Sequence, residues 1–222
     1  MSINQKARVL KETCPLCSAS SDKHLFIKSV WRNYFNCNQC SSWFLSLKDR
    51  LSPTLEKARY DEHQNSPEDP RYRNFLSQVS DPLSKKLKPG DKGLDFGSGP
   101  GPTLHLMMQE MGFKMDIYDP FFNPDLKFEK SYDFITCTET AEHFFKPLDE
   151  FSFLFSKLKP GRWMGLMTDL LQVDTDFENW YYTKDPSHTF FYSQETFEFI
   201  ADRFSASLEN VGSRVILLQK SL

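Results

Sequence analysis

Residues 93–103 read Gly93-Leu94-Asp95-Phe96-Gly97-Ser98-Gly99-Pro100-Gly101-Pro102-Thr103. A short apolar strand enters a glycine-rich turn, and the turn enters TLHLMMQEMG (103–112), which reads as a helix. Glycines between a strand and a helix let backbone come close to a ligand where a side chain would stand in the way. Pro102 suits the first turn of the helix and Gly112 its end. The next strand, KMDIYD, closes on Asp119, twenty residues beyond Gly99. An acid at that distance reaches ribose hydroxyls in dinucleotide-type folds. Position 102 is proline, which departs from G-x-G-x-x-G. No G-x-x-x-x-G-K-[ST] occurs, which excludes a P-loop.

Toward the C-terminus, YDFITC (132–137) is a further apolar strand. It is followed by a helix with apolar residues at Leu148, Phe151, Leu154, Phe155 and Leu158. SQETFEFIADRF reads as a helix capped by Ser193, and ASLENV and RVILLQK read as strands around a Gly212 turn. Through LDFGSGPG, DIYDPFF, YDFITCTETAEHF, LKPGRWMGLMT and DPSHTFFYSQETFEFIA, residues 88–221 resemble the class I S-adenosylmethionine-dependent methyltransferases.

That resemblance implies an α/β fold, a Rossmann-like, mostly parallel sheet whose last strand is antiparallel, and S-adenosylmethionine as cofactor. It implies that Gly97, Gly99 and Gly101 leave room for the methionine and ribose parts. Asp95 would orient the loop or its water, and Asp119 would hold the ribose diol. Phe121 would lie near the adenine and Thr138 would border the methionine part. Only twelve residues separate Asp119 from Tyr132, about half the length that the family's second helix and third strand need. The third-strand region is therefore expected to be shortened and the sheet reduced, with Asp125 as the local acid that offers itself to the adenine.

Methyl transfer from a sulfonium is an in-line displacement that depends on proximity and alignment. A base is needed only where the acceptor must lose a proton. Candidates sit at the C-terminal ends of strands, where open α/β sheets bind ligands. After YDFITC come Thr138, Glu139, Glu142 and His143, of which Glu142 and His143 either face the methyl group or cap and solvate the next helix. His188, in DPSHTFF, ends a long connection (170–192) that carries Trp180, Tyr181 and Tyr182. It reads as a base or acceptor-binding residue, or as a packed polar group under those aromatics.

Residues 1–50 carry CPLC, nineteen intervening residues, then CNQC. Cys14, Cys17, Cys37 and Cys40 have the spacing of a closed, four-thiolate structural zinc site in a zinc-ribbon-like module. The other reading is a module that keeps its cysteines without metal. Cys137 lies in an apolar run and reads as a small buried hydrophobe. Residues 51–88 form a proline-punctuated helical bridge, with Phe75, Leu76, Val79 and Leu83 on one helical face. Tyr60, Asp61 and His63 belong either to a connector surface or to a lid in which Tyr60 and His63 close over the cofactor. Residues 89–222 then form the methyltransferase-like domain.

With 39% hydrophobic residues and 21 Phe among 222, the chain can build a sizeable core and is not disordered for most of its length. No apolar run approaches the ~20 residues of a membrane span, and the N-terminus lacks the apolar stretch of a secretory signal. The expectation is a soluble, cytoplasmic protein. The net charge of −3 divides into +6 over residues 1–60 and −9 over the remainder. Three functions fit: methylation of a small molecule; methylation of ribosomal or transfer RNA docked on the basic head; or a non-catalytic zinc-ribbon interaction module on a methyltransferase-like fold.

Overall fold

The computed structural model describes residues 10–62, 66–129 and 131–222; His63 lies outside the described residues. The head opens with a two-stranded ribbon, β1 (Glu12–Thr13) and β2 (Ser20–Ser21). Three antiparallel strands follow: β3 (Lys23–Ile27), β4 (Arg32–Asn36) and β5 (Trp43–Leu45). The bridge contains α1 (Pro53–Tyr60) and α2 (Pro70–Ser84), each begun by a proline behind a cap. Ser52 accepts from Leu55 N–H and Asp69 from Arg71 N–H, satisfying donors that a helix start leaves open. Leu76, Val79 and Leu83 of α2 are buried against Met107, Met108, Phe134, Met167 and Leu217, so the apolar face read from the sequence packs as expected; Phe75 is only partly buried.

The remaining elements are β6 (Lys92–Phe96), α3 (Thr103–Glu110), β7 (Lys114–Tyr118), β8 (Tyr132–Thr138), α4 (Pro147–Lys157), β9 (Leu158–Met167), β10 (Phe190–Phe191), α5 (Gln194–Arg203), β11 (Ala206–Val211) and β12 (Val215–Lys220). Six of them form one sheet in the order β11-β12-β9-β8-β6-β7. β7, β6, β8 and β9 are mutually parallel, and β12 runs antiparallel to both β9 and β11. The central β8 is buried at Phe134, Ile135, Thr136 and Cys137, as parallel strands covered on both faces require.

The shortened region appears as anticipated. Between β7 and β8 the described residues hold only an Asp119–Asn123 bridge and turns, which leaves β7 at the sheet edge. Twelve residues suffice to reach β8 as the next parallel strand but not to add a helix and a further strand on the way. Asp125 is exposed there and does not line the cleft described below.

One pairing links distant parts of the chain. β10 adds to the head sheet beside β5, with Phe190 opposite Phe44 and Phe191 opposite Trp43. Among the described residues no helix is long and apolar enough to cross a membrane.

Candidate active site

A cleft of about 400 Å³ opens at the C-terminal ends of β6, β7 and β8, where open α/β sheets receive ligands. One wall is the glycine loop. Gly97 sits at φ +80°, and a Cβ there would lie 2.2 Å from Thr140, so glycine is required on both counts. Gly99 faces open space and also lines the cleft; Gly101 does not line it.

Asp119 is buried at the end of β7 and organises this wall. Its Oδ1 accepts from the Phe121 and Phe122 N–H groups (2.8 and 3.1 Å), and its Oδ2 accepts from Gly99 N–H (3.0 Å). A carboxylate has about four acceptor positions. Three are occupied by backbone N–H groups, which leaves about one open toward the cleft. Asp95, also on this wall, accepts from the Thr136 hydroxyl (2.7 Å). Burial pushes its carboxyl up to about 6 against the lowering effect of that bond. Thr138 lines the cleft with a buried hydroxyl that has no hydrogen-bond partner among the described residues. An open cradle beside Gly99 and an orphaned hydroxyl are what a ligand-binding wall presents.

The facing wall gathers Glu142, His143 and His188. Glu142 and His143 lie in a 3₁₀ turn (Ala141–His143) ahead of α4, so neither caps that helix. His143 Nδ1 is 3.0 Å from the Ser187 carbonyl, and His188 Nδ1 is 2.8 Å from the Tyr182 carbonyl. A carbonyl only accepts, so both rings donate through Nδ1 and leave Nε2 for another partner. Burial, reinforced by His143, pulls His188 down to about 4, so it is neutral near pH 7. Glu142 is fully buried; its Oε1 accepts from the Tyr182 hydroxyl at 2.5 Å, while Oε2 is buried with no hydrogen-bond partner among the described residues. Backbone ties the pieces together, with Thr189 N–H donating to the Glu142 carbonyl at 2.8 Å.

Three contributors receive no role from the sequence. Tyr182 reads as one member of an aromatic run, and nothing local singles it out. Glu139 follows β8 directly in a left-handed conformation (φ +47°), and burial together with Glu142 raises its carboxyl well above the usual range. Glu56 is buried one helical turn before Tyr60 and accepts from the Tyr60 hydroxyl at 2.8 Å; that i, i+4 spacing is its available signal. The Tyr60 ring lies over the cleft, 5.5 Å from Phe121 and 5.1 Å edge-on from His143. Arg59 fastens α1 to the far wall through Asp185, at 2.7 Å.

The head brings its four cysteine thiols within 4.8 Å of one another. Cys14 and Cys40 lie 3.6 Å apart, Cys17 and Cys37 3.3 Å. These separations are too long for disulfides, whose sulfurs bond at about 2.05 Å. Four thiolates at about 2.3 Å from one zinc stand about 3.8 Å apart in a tetrahedron, so the donor set is compatible with zinc. The head also grips the segment that carries His188. Leu45 N–H donates to the Thr189 carbonyl (2.8 Å) and Arg32 to the Pro186 carbonyl (2.8 Å).

The family profile "Methyltransferase domain" matches residues 68–207. No curated protein gives a significant match to the chain. The chain is similar to several solved structures. An S-adenosylmethionine-dependent methyltransferase of Methanosarcina mazei is 15% identical, covering 63% of this chain and 97% of that one, with a TM-score of 0.48. One from Thermotoga maritima is 13% identical over 67% of this chain and 89% of its own, with a TM-score of 0.48. Phosphoethanolamine N-methyltransferase 2 of Haemonchus contortus, in complex with S-adenosyl-L-methionine, is 18% identical over 71% of this chain and 42% of its own, with a TM-score of 0.50.

Proposed function

The chain belongs to the methyltransferase-domain family, and from that premise we propose that it methylates a small-molecule acceptor held against Glu142, His143 and His188. Bound S-adenosylmethionine supplies an electrophilic methyl carbon whose leaving thioether needs no acid. The glycine loop, Asp119, Phe121 and Thr138 would hold that cofactor, with Tyr60 closing over it from α1. The His143 and His188 rings, each fixed through Nδ1, present their Nε2 atoms to the acceptor's reacting atom.

The observation that carries the choice of acceptor is the charge of the lining. Glu56, Asp95, Asp119, Glu139, Glu142 and Glu150 line the cleft, and among the described residues no Lys or Arg does. A phosphate-rich acceptor would find no cationic partner there, and nucleic-acid affinity rests on cationic contacts to phosphate. This supports a small acceptor without phosphate over RNA docked on the head. The role we assign to the head is structural: one zinc on Cys14, Cys17, Cys37 and Cys40 would hold together a sheet too small to be stable alone.

The test is to incubate the protein with methyl-labelled S-adenosylmethionine and a cell extract, then divide the label by size cutoff, ribonuclease and protease. Label in the small-molecule fraction is the expected result. Label released by ribonuclease would replace this reading with an RNA methyltransferase.

A further inference from the structure

Six Asp and Glu side chains line the cleft and among the described residues no Lys or Arg does, and the acceptor wall ends in two imidazole Nε2 atoms and an orphaned carboxylate oxygen. We infer that Glu142, His143 and His188 form a binding site for a first-row divalent cation, through which the acceptor is held by an oxygen atom. The inference deepens the function proposed above and rests on it only for the identity of that oxygen ligand.

Three independent features carry it. One ligand atom from each of the three residues lies within 4.8 Å of the others. Three ligand atoms at about 2.0–2.2 Å from one ion stand about 3.0–3.6 Å apart, so closure by up to about 1.5 Å brings them onto it. The second feature is Glu142 Oε2, a fully buried carboxylate oxygen without a hydrogen-bond partner among the described residues. Such a group is costly unless paired or bound to a metal.

The third feature is orientation from behind. Metal-binding histidines typically donate their other ring N–H to a carbonyl or carboxylate, which fixes tautomer and ring angle. His143 does so to Ser187 and His188 to Tyr182. Glu142 is held on Oε1 by the Tyr182 hydroxyl, which is itself fixed by Asp169 N–H (3.3 Å) and the Thr168 hydroxyl (3.0 Å). One tyrosine therefore sets two of the three ligands.

Two imidazoles and one carboxylate suit manganese, iron, cobalt or zinc and leave coordination positions open. A cation there takes an oxygen of the acceptor as a further ligand. It lowers that oxygen's pKa, so that a hydroxyl gives up its proton to water before it reacts. The thiolates of the head are soft and select zinc, so manganese reports on this site alone.

The experiment titrates Mn²⁺ into full-length protein carrying one zinc per chain, reading free manganese by electron paramagnetic resonance, without cofactor. One Mn²⁺ per chain is expected, with affinity falling at least tenfold in Glu142→Gln, His143→Asn and His188→Ala. His143 is only partly buried, so its variant tests the site even where the buried ones misfold; circular dichroism identifies those. Asp119→Ala should bind Mn²⁺ normally while losing S-adenosylhomocysteine. Manganese binding without S-adenosylhomocysteine binding in the unaltered protein would uphold the cation site and sink the cofactor reading. No stoichiometric Mn²⁺, or equal binding by folded variants, would overturn the inference.

Discussion

Across forty residues of sequence, the Tyr182 hydroxyl donates to Glu142 Oε1 at 2.5 Å, and it is the carboxylate's one hydrogen-bonded partner among the described side chains. A polar acceptor in the interior depends on such a bond more than an exposed one does. Tyr182→Phe should therefore destabilise the protein by about 1–3 kcal/mol, the cost of leaving a buried group unsatisfied. Urea unfolding measures that loss. Turnover should fall as Glu142 loses its orientation, while S-adenosylhomocysteine affinity stays within about twofold, because the cofactor wall is untouched. Unchanged stability would mean that Glu142 has another partner in solution.

Asp119 gathers three backbone N–H groups from the loop and from the turn after β7. Asp119→Ala removes the proposed diol acceptor and the Gly99 anchor together. Isothermal titration with S-adenosylhomocysteine should show at least a tenfold loss, about 1.4 kcal/mol. Full affinity in the variant would remove Asp119 from the cofactor site.

The head and the acceptor wall share a sheet, since β10 begins two residues after His188 and pairs with β5. Chelating the zinc, or replacing Cys14 and Cys17 with serine, should loosen β3–β5 and with them residues 187–191. Hydrogen exchange at Thr189 and Phe190 should accelerate, and KM for the acceptor should rise more than the cofactor dissociation constant. Unaltered exchange in 187–191 after metal loss would show that β10 is held without the head.

Asp95 connects pH to stability. Its folded-state pKa, raised to about 6 by burial despite the Thr136 hydroxyl and the attraction of His105, with Asp119 adding to the rise, exceeds the ordinary 3.8. The folded form thus binds this proton more tightly than the unfolded chain. Stability should be lost as pH rises from about 4 to about 6 and should level off above that. Two pKa units correspond to about 3 kcal/mol. Asp95→Asn keeps an acceptor for Thr136 and carries no charge, so denaturation curves from pH 4 to 7 should lose this slope. At pH 7 the variant should be the more stable protein. A slope identical to that of the unaltered chain would contradict the raised value.

Local chemistry is legible in the chain itself. Glycines between a strand and a helix, paired cysteines two residues apart, Ser193 at a helix start and the 3.6-residue period of Leu76, Val79 and Leu83 each act over a few residues. The spacing from Asp119 to Tyr132 even announces the missing third strand, because chain length limits what can be built. Gly97, Gly99, Asp119 and the four cysteines lie where those short-range rules place them. What brings Glu142 and His143 to His188 acts at long range. It is the parallel register of β8 beside β9, the β10–β5 pairing, and the hydrogen bond from the Tyr182 hydroxyl to Glu142. These contacts lower the free energy only once distant segments are already packed, so no window of sequence records them. The tertiary structure alone decided that one tyrosine would orient both a carboxylate forty residues upstream and a histidine six residues downstream.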